Sequence, residues 1–273
     1  MAKIHPTAVV HPSAQLAEDV EVGPHCLVES DVSIGPRCVL RASAVIRRYT
    51  TLGADNLVDA GCVLGGEPQD LKFDPAGVSY LRIGDRNVFR ECVTISRATT
   101  PGGATLVGSG TYWMAYSHAG HDVTVGDEVI LVNGSAVGGH CTIEPRVFLS
   151  AHVVVHQFCW IGQMVMTEGN ASIRSHVPPF TMLVGRNRVL GLNVVGLRRA
   201  KDLTELDRAQ IKEAYRITYR EGLRTQEALR EMERHADWRA PAASFREFVG
   251  RVAAAQKPFN RGLASDKARA GED

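Results

Sequence analysis

The sequence has no CxxC pair, no clustered metal-binding cysteines, no excess of charge of either sign and no long apolar run. Each absence removes a class. The six cysteines (Cys26, Cys38, Cys62, Cys92, Cys141 and Cys159) are scattered singly. This excludes zinc and redox motifs built on paired cysteines and points to reduced, mostly buried thiols of a cytosolic protein. Lys and Arg number 31 against 30 Asp and Glu, a net charge of +1, so nothing points to nucleic acid. No stretch approaches the ~18 apolar residues of a membrane span. The N-terminus, MAKIHPTAVV, lacks the apolar core of a signal peptide. At 273 residues the chain can build one large domain or two smaller ones, and it is expected to be soluble and cytoplasmic.

What is present is a period. Every sixth residue from Ile4 to Leu64 is Ile, Leu or Val, eleven positions in all. Val22, Ile34, Leu52 and Leu64 are each followed by Gly. Neither an α-helix nor an amphipathic strand repeats every six residues over such a length. The period returns at Ile83, Phe89 and Ile95, then runs from Val107 to Ile161; Thr167 breaks it and Ile173 restores it. Two polar, Gly- and Pro-containing stretches, 65–82 and 96–106, interrupt it and read as loops expelled from a regular body. The pattern predicts an all-β solenoid over 1–200. Short strands turn a corner every six residues, three faces make an 18-residue coil, and coils stack at about 4.8 Å. The Gly after each inward residue is expected to ease the turn.

Beyond about residue 202 the period gives way to helical patterns, so 201–273 is expected to be a small α-helical domain of about three helices. Ile211, Ala214, Tyr215 and Thr218 share one face, with Gly222 as a stop. Ser244-Phe245-Arg246-Glu247 reads as a capping box leading into Phe245, Phe248, Val249 and Val252. The helices are expected to cover the open end of the solenoid, with the chain frayed after about 260.

Residues 114–126, MAYSHAGHDVTVG, place His118 and His121 three apart with Asp122 next. On an 18-residue coil, His121, His140, His156 and His176 fall in three adjacent phases, just past one corner. Three readings compete: a metal site, a structural ladder like that of Cys141 and Cys159, or a catalytic cleft. Imidazole is a natural general base, and a neighbouring carboxylate can stabilise its cation. One coil after His121 lies Gly139, whose backbone N–H can serve a developing oxyanion. Residues 170–201 hold Arg174, Arg186, Arg188, Arg198, Arg199 and Lys201 with no acid, a bias that suits a pyrophosphate or an acidic protein face.

The period resembles that of the hexapeptide-repeat acyltransferases, which fold as left-handed parallel β-helices. MAYSHAGHD (114–122), GGEPQDLKF (65–73), VHQF (155–158), VPPF (177–180) and GLNVVGLRR (191–199) resemble the UDP-N-acetylglucosamine O-acyltransferases of lipid A synthesis. That resemblance implies transfer of a 3-hydroxyacyl chain from acyl carrier protein to the sugar 3-hydroxyl. It also implies a homotrimer with active sites between subunits, and neither cofactor nor metal. Carried over by position, His121 would be the general base, with Asp122 beside it and Gly139 as oxyanion donor. Asp70 and Lys72 would reach the substrate, and His118, His140, His156 and Gln157 would line the groove. Asn193, Arg198 and Arg199 would hold nucleotide and phosphates. Gly169 matches the position that gauges acyl length and would leave room for a longer chain. The sequence departs from the family at Val195, where some members carry an acid, and at Ala200, a basic position elsewhere. Thr167 and Glu168 are unusual neighbours for Gly169. Competing functions are N-acylation of a 3-amino UDP-sugar, a non-catalytic solenoid, and a trimeric zinc hydratase of the carbonic anhydrase type. The later N-acyltransferase of the pathway usually has a domain before its repeats; here the repeat begins at Ile4.

Overall fold

The computed structural model describes residues 2–235 and 237–267. Among these, 28 short strands form parallel sheets of 11, 9 and 8 strands, the three faces of a solenoid. Up to the last coil each strand pairs with the strand three further on in the chain. The register is the 18-residue coil: Lys3 pairs with Glu21, Val9 with Leu27 and Gln15 with Ser33. Most strands are two residues long, with the first residue facing out and the second buried. A second buried residue precedes the strand, as in Val20, Val32, Val129 and Val147. The small cysteines Cys26, Cys38, Cys62, Cys141 and Cys159 fill this same position. Burial pushes the thiols of Cys62, Cys141 and Cys159 up to about 12, so they act as core residues. Each buried Val, Leu or Ile contributes about 1.5–3 kcal/mol, and the repetition sums them along one axis.

The corner differs from the expected one. Of the four Gly that follow an inward residue, only Gly65 is left-handed; Gly23, Gly35 and Gly53 are not. Gly35 instead lies so close to the next coil that a Cβ would meet Gly53 O at 2.6 Å. The left-handed residue comes two positions later and is rarely Gly: His25, Asp31, Arg37, Ser43, Tyr49 and Asp55 all have φ between 57° and 65°. An L-residue there costs about 1–2 kcal/mol. A backbone hydrogen bond to the coil beneath offsets it, as in Ser43 N–H to Pro24 O and Asp55 N–H to Pro36 O.

Two insertions break the register. Leu57 pairs with Val88, 31 residues on, and Thr94 with His118, 24 residues on. The strands Val63–Gly66 and Tyr80–Ile83 trim the first loop to 67–79; Thr94–Ser96 and Ala104–Val107 trim the second to 97–103. Where Thr167 breaks the apolar rule it is buried, and its hydroxyl accepts the Ser150 N–H at 2.8 Å. The antiparallel pair Thr181–Val184 and Arg188–Leu192 closes the 11-stranded sheet.

Four helices follow: α1 (Val194–Arg199), α2 (Glu205–Tyr219), α3 (Thr225–Glu233) and α4 (Ala240–Ala253). The first lies before residue 201, inside the span expected to be solenoid. Thr204 caps α2 in a capping box with Asp207, and the expected face of Ile211, Ala214, Tyr215 and Thr218 is buried. The expected capping box at Ser244 is not there. The proline-led first turn starts α4 at Ala240, because Pro241 is pre-set for helix and needs no N–H. Ser244 instead accepts from the Gln163 side chain, which ties α4 to a coil. Arg251 adds an ion pair to Glu144 and covers the Trp160 ring at 4.5 Å. The segment after 260 is not frayed as far as it is described: Leu263 and Ser265 bridge to His176 and Arg188. The rest of the expected fray, 268–273, lies outside the described residues. The two ends of the solenoid are unlike. Helices pack on the last coils, while among the described residues the first coil has neighbours on one side only and leaves Ile4 and Val9 half-exposed or more.

Candidate active site

One corner of three successive coils brings the predicted residues together. The 18-residue register stacks His121 under Gly139 and Gln157, and Asp122 under His140 and Phe158. His140 N–H donates to His121 O and Phe158 N–H to Gly139 O, both at 3.0 Å. Asp122, His140 and Phe158 occupy the left-handed corner position. That conformation lets Asp122 turn back on its neighbour: His121 Nδ1 lies 2.8 Å from Asp122 Oδ2. The same oxygen accepts from Thr99 N–H at 3.0 Å and Thr99 Oγ1–H at 2.7 Å. Burial pushes the Asp122 carboxyl up, but the hydrogen bonds from Thr99 and His121 outweigh it and hold it below the usual carboxylate range. An ionised carboxylate only accepts, so His121 Nδ1 carries a proton, and in the neutral ring Nε2 is the nitrogen left with a lone pair.

The face of the His121 ring lies against Gly139. A Cβ there would lie 2.7 Å from His121 Cε1 and 2.8 Å from Nε2, so any larger residue would displace the ring. The Gly139 N–H has no acceptor among the described residues. His140 sits behind the pair, 5.0 Å from the His121 ring and stacked on Phe158 at 4.8 Å and 7°. Burial lowers the His140 pKa and the nearby His121 lowers it further, while Asp122 and Asp70 pull the other way. The balance leaves the His140 pKa below its ordinary value.

The cleft in front has a volume of about 350 Å³ and is lined by His118, His121, Gly139, His156 and Gln157, as expected, with Gln69 from the first loop. His118 Nδ1 bonds Thr94 Oγ1 at 2.8 Å, and burial lowers its pKa. His156 and Gln157 are exposed at the mouth. Larger hollows of about 610 Å³ lie on the first coils. Neither holds a histidine hydrogen-bonded to a carboxylate, so the smaller cleft is the chemical one.

Asp70 and Lys72 sit exposed on the first loop, with Asp70 Oδ1 accepting the Lys72 N–H at 2.9 Å. Asn193 is placed differently from a free ligand-binding amide. It caps α1, accepting from Gly196 N–H at 2.9 Å and donating to Met164 O at 3.0 Å. Arg198 and Arg199 end α1, exposed and without an ion pair among the described residues; none of these three lines the cleft. Val195 is exposed and Ala200 is the C-cap of the same helix. Gly169 is exposed, and a Cβ there would meet only Ala151 O at 3.6 Å. Glu168 beside it points to solvent and accepts the Gly185 N–H, which removes the cost of a carboxylate in an apolar groove.

His176 is not in the column. The last coil is two residues short, pairing Ile161 with Val177, so His176 lands on Trp160 instead of Phe158. It is buried, stacks on Trp160 at 4.2 Å, accepts from Trp160 N–H and donates to Phe259 O. Burial lowers it to about 4, so it is a neutral tie to the C-terminal segment. Thr99 and Phe158 were missed. Counting the 24-residue offset would have set 98–99 beside Asp122.

The ligand atoms of His121, Asp122 and His140 lie within 4.8 Å of one another, so this trio is where a cation could be held. Asp122 Oδ2 already accepts three hydrogen bonds, one from a fixed backbone N–H. The donor set fits a hydrogen-bonded acid–base pair better than a metal centre.

A family model described as Udp N-acetylglucosamine O-acyltransferase, Domain 2, matches residues 176–263. A relative from Anaeromyxobacter sp. (strain Fw109-5), named acyl-[acyl-carrier-protein]–UDP-N-acetylglucosamine O-acyltransferase, is 42% identical over 90% of this chain and 96% of its own. The chain belongs to the UDP-N-acetylglucosamine O-acyltransferase family. A family member from Stenotrophomonas maltophilia (strain R551-3) is 43% identical over 86% of this chain and 89% of its own. The solved Francisella novicida UDP-N-acetylglucosamine acyltransferase superposes with TM-score 0.89, at 32% identity over 96% of this chain and 94% of that one. The Moraxella catarrhalis structure gives TM-score 0.89 at 34% identity, over 96% and 99%. These matches span solenoid and helices, so the fold is the left-handed parallel β-helix followed by helices: the repeat led us to expect a solenoid, and the family resemblance its left hand.

Proposed function

We propose that the chain transfers a 3-hydroxyacyl group from acyl carrier protein to the 3-hydroxyl of UDP-N-acetylglucosamine, the first step of lipid A biosynthesis. His121 Nε2 takes the hydroxyl proton as the sugar oxygen attacks the thioester carbonyl. The ionised Asp122 stabilises the imidazolium that forms. The Gly139 N–H donates to the carbonyl oxygen as it becomes an oxyanion. Collapse of the tetrahedral intermediate breaks the C–S bond, and the imidazolium returns its proton to the leaving thiolate. No cofactor enters this scheme. Asp70 and Lys72 position the sugar from the first loop. His118, His140, His156 and Gln157 shape the groove, and Arg198 and Arg199, with Asn193 holding their helix, serve the nucleotide phosphates. Open space around Gly169 favours a long acyl chain. The flat solenoid faces suit a cytoplasmic homotrimer with a cleft between subunits.

The observation that carries this reading is the 2.8 Å His121–Asp122 pair packed against Gly139. The test is acyl transfer from a series of 3-hydroxyacyl carrier proteins to UDP-N-acetylglucosamine, wild type against His121→Ala. Loss of a general base should cost roughly 10²–10⁴-fold. A wild type inactive with every chain overturns the sugar assignment; an unimpaired variant overturns the role of His121. A 3-amino UDP-sugar run alongside separates ester from amide formation. The His121–Asp122–His140 trio is the one observation favouring a zinc hydratase. One tightly bound zinc per active site in the purified protein would replace the acyltransferase reading with that one.

A further inference from the structure

Arg97 is a large charged side chain with no exposed surface. No carboxylate pairs with it among the described residues, and its Nε and Nη2 have no acceptor there. A buried cation without a counter-ion is costly, so what surrounds it must compensate. What surrounds it is the 67–79 loop. Arg97 Nη1 donates to Gly77 O at 3.0 Å, and the guanidinium lies 5.0 Å from the Phe73 ring and 5.4 Å from the Tyr49 ring. Planar cations favour such aromatic faces.

The loop needs this anchor. Leu71 at its tip is wholly exposed, and Asp70 and Lys72 are flanked by the buried Pro68 and the half-buried Phe73. Phe73, the residue after Lys72, packs on Arg97. The backbone continues the connection with three successive N–H groups. Arg97 N–H bonds Gly66 O where the loop leaves the sheet, Ala98 N–H bonds Tyr80 O where it returns, and Thr99 N–H bonds the Asp122 carboxylate.

We propose that Arg97 is a positioning residue that fixes the 67–79 loop relative to the His121–Asp122 pair, so that Asp70 and Lys72 meet the substrate in register. This rests on the role given to those two residues above. Two measurements separate the claims. Amide hydrogen exchange of the 67–80 peptide reads the loop without any substrate; Arg97→Met should accelerate it about tenfold, while a peptide from 129–165 stays unchanged. Steady-state kinetics read the consequence. A loop displaced by about 1 Å should lower kcat/KM on the order of 10²-fold. The kinetic pH profile keeps its shape, because the base is untouched. Arg97→Lys keeps the charge but loses the planar stacking, and should recover part of both. If Arg97→Met fails to fold, Phe73→Leu removes the stacking partner outside the solenoid core and carries the same test. Unchanged loop exchange in a folded variant overturns the proposal, and so does a loosened loop with unchanged kcat/KM. If the wild type transfers nothing to the sugar, the failure belongs to the proposed function, and exchange alone decides the anchoring role of Arg97.

Discussion

Asp122→Asn isolates charge from geometry. The carboxamide keeps an oxygen for the Thr99 N–H, the Thr99 hydroxyl and His121 Nδ1–H, all of which now converge on Oδ2. The corner should stay folded. What disappears is the negative charge beside an imidazolium that exists only during reaction. Both side chains are mostly shielded, at 13% and 15% exposure, so solvent discounts the interaction little. Charge centres about 4 Å apart interact by about 4 kcal/mol at an effective dielectric of ~20. At 1.36 kcal/mol per decade that is roughly 10³-fold in rate. The assay is kcat/KM for acyl transfer across pH 6–9, with circular dichroism and thermal melting to verify the fold. An Asp122→Asn enzyme within about tenfold of wild type would refute the electrostatic role and leave Asp122 a merely structural partner of Thr99.

Three further outcomes are expected. Gly139→Ala places a methyl against the His121 ring; since that ring can swing away, activity should fall by at least about 10²-fold with little change in melting temperature. Gly35→Ala meets backbone at Gly53 instead, which cannot give, so it should cost about 1–3 kcal/mol of stability, read by denaturant unfolding. His176 is held neutral in the fold at about 4 against an ordinary 6.5. The unfolded chain therefore binds a proton that the folded one refuses, and stability should decline as pH falls from about 6.5 towards 4. His176→Gln should be less stable at pH 7.5 yet lose less across that window.

Much of the fold could be read from the period, because inward apolar residues every sixth position leave few ways to bury them. The cause of the corner was less legible. Gly after Val22 or Ile34 looks like a turn residue, yet it serves close stacking, and the strained position is filled by His25 or Arg37, which carry no turn signature. The dyad was legible because Asp122 follows His121 in sequence. Thr99 was not, because its partner lies across an insertion that shifts the register from 18 to 24 residues. His176 was misplaced for the same reason in reverse, a coil two residues short. The start of α4 was misread because a capping box at Ser244 is a local pattern, while Pro241 and the contact with Gln163 decide where that helix begins. Asn193 has the residue type of a ligand contact and the position of a helix cap, and only the structure distinguishes them.

The unlike ends of the solenoid bear on how it wears. Each coil touches only its neighbours, so opening proceeds like a zip and starts where the last tooth is least held. Among the described residues that place is the first coil, with Ile4 and Val9 exposed and a single neighbour beneath. The far end is pinned by α4, by the Arg251–Glu144 pair and by His176. His121 lies several coils in from the loose end. Thermal unzipping of the first coil or two therefore consumes scaffold before it reaches chemistry, and the N-terminal coils act as a sacrificial margin for the corner that holds His121 and Asp122.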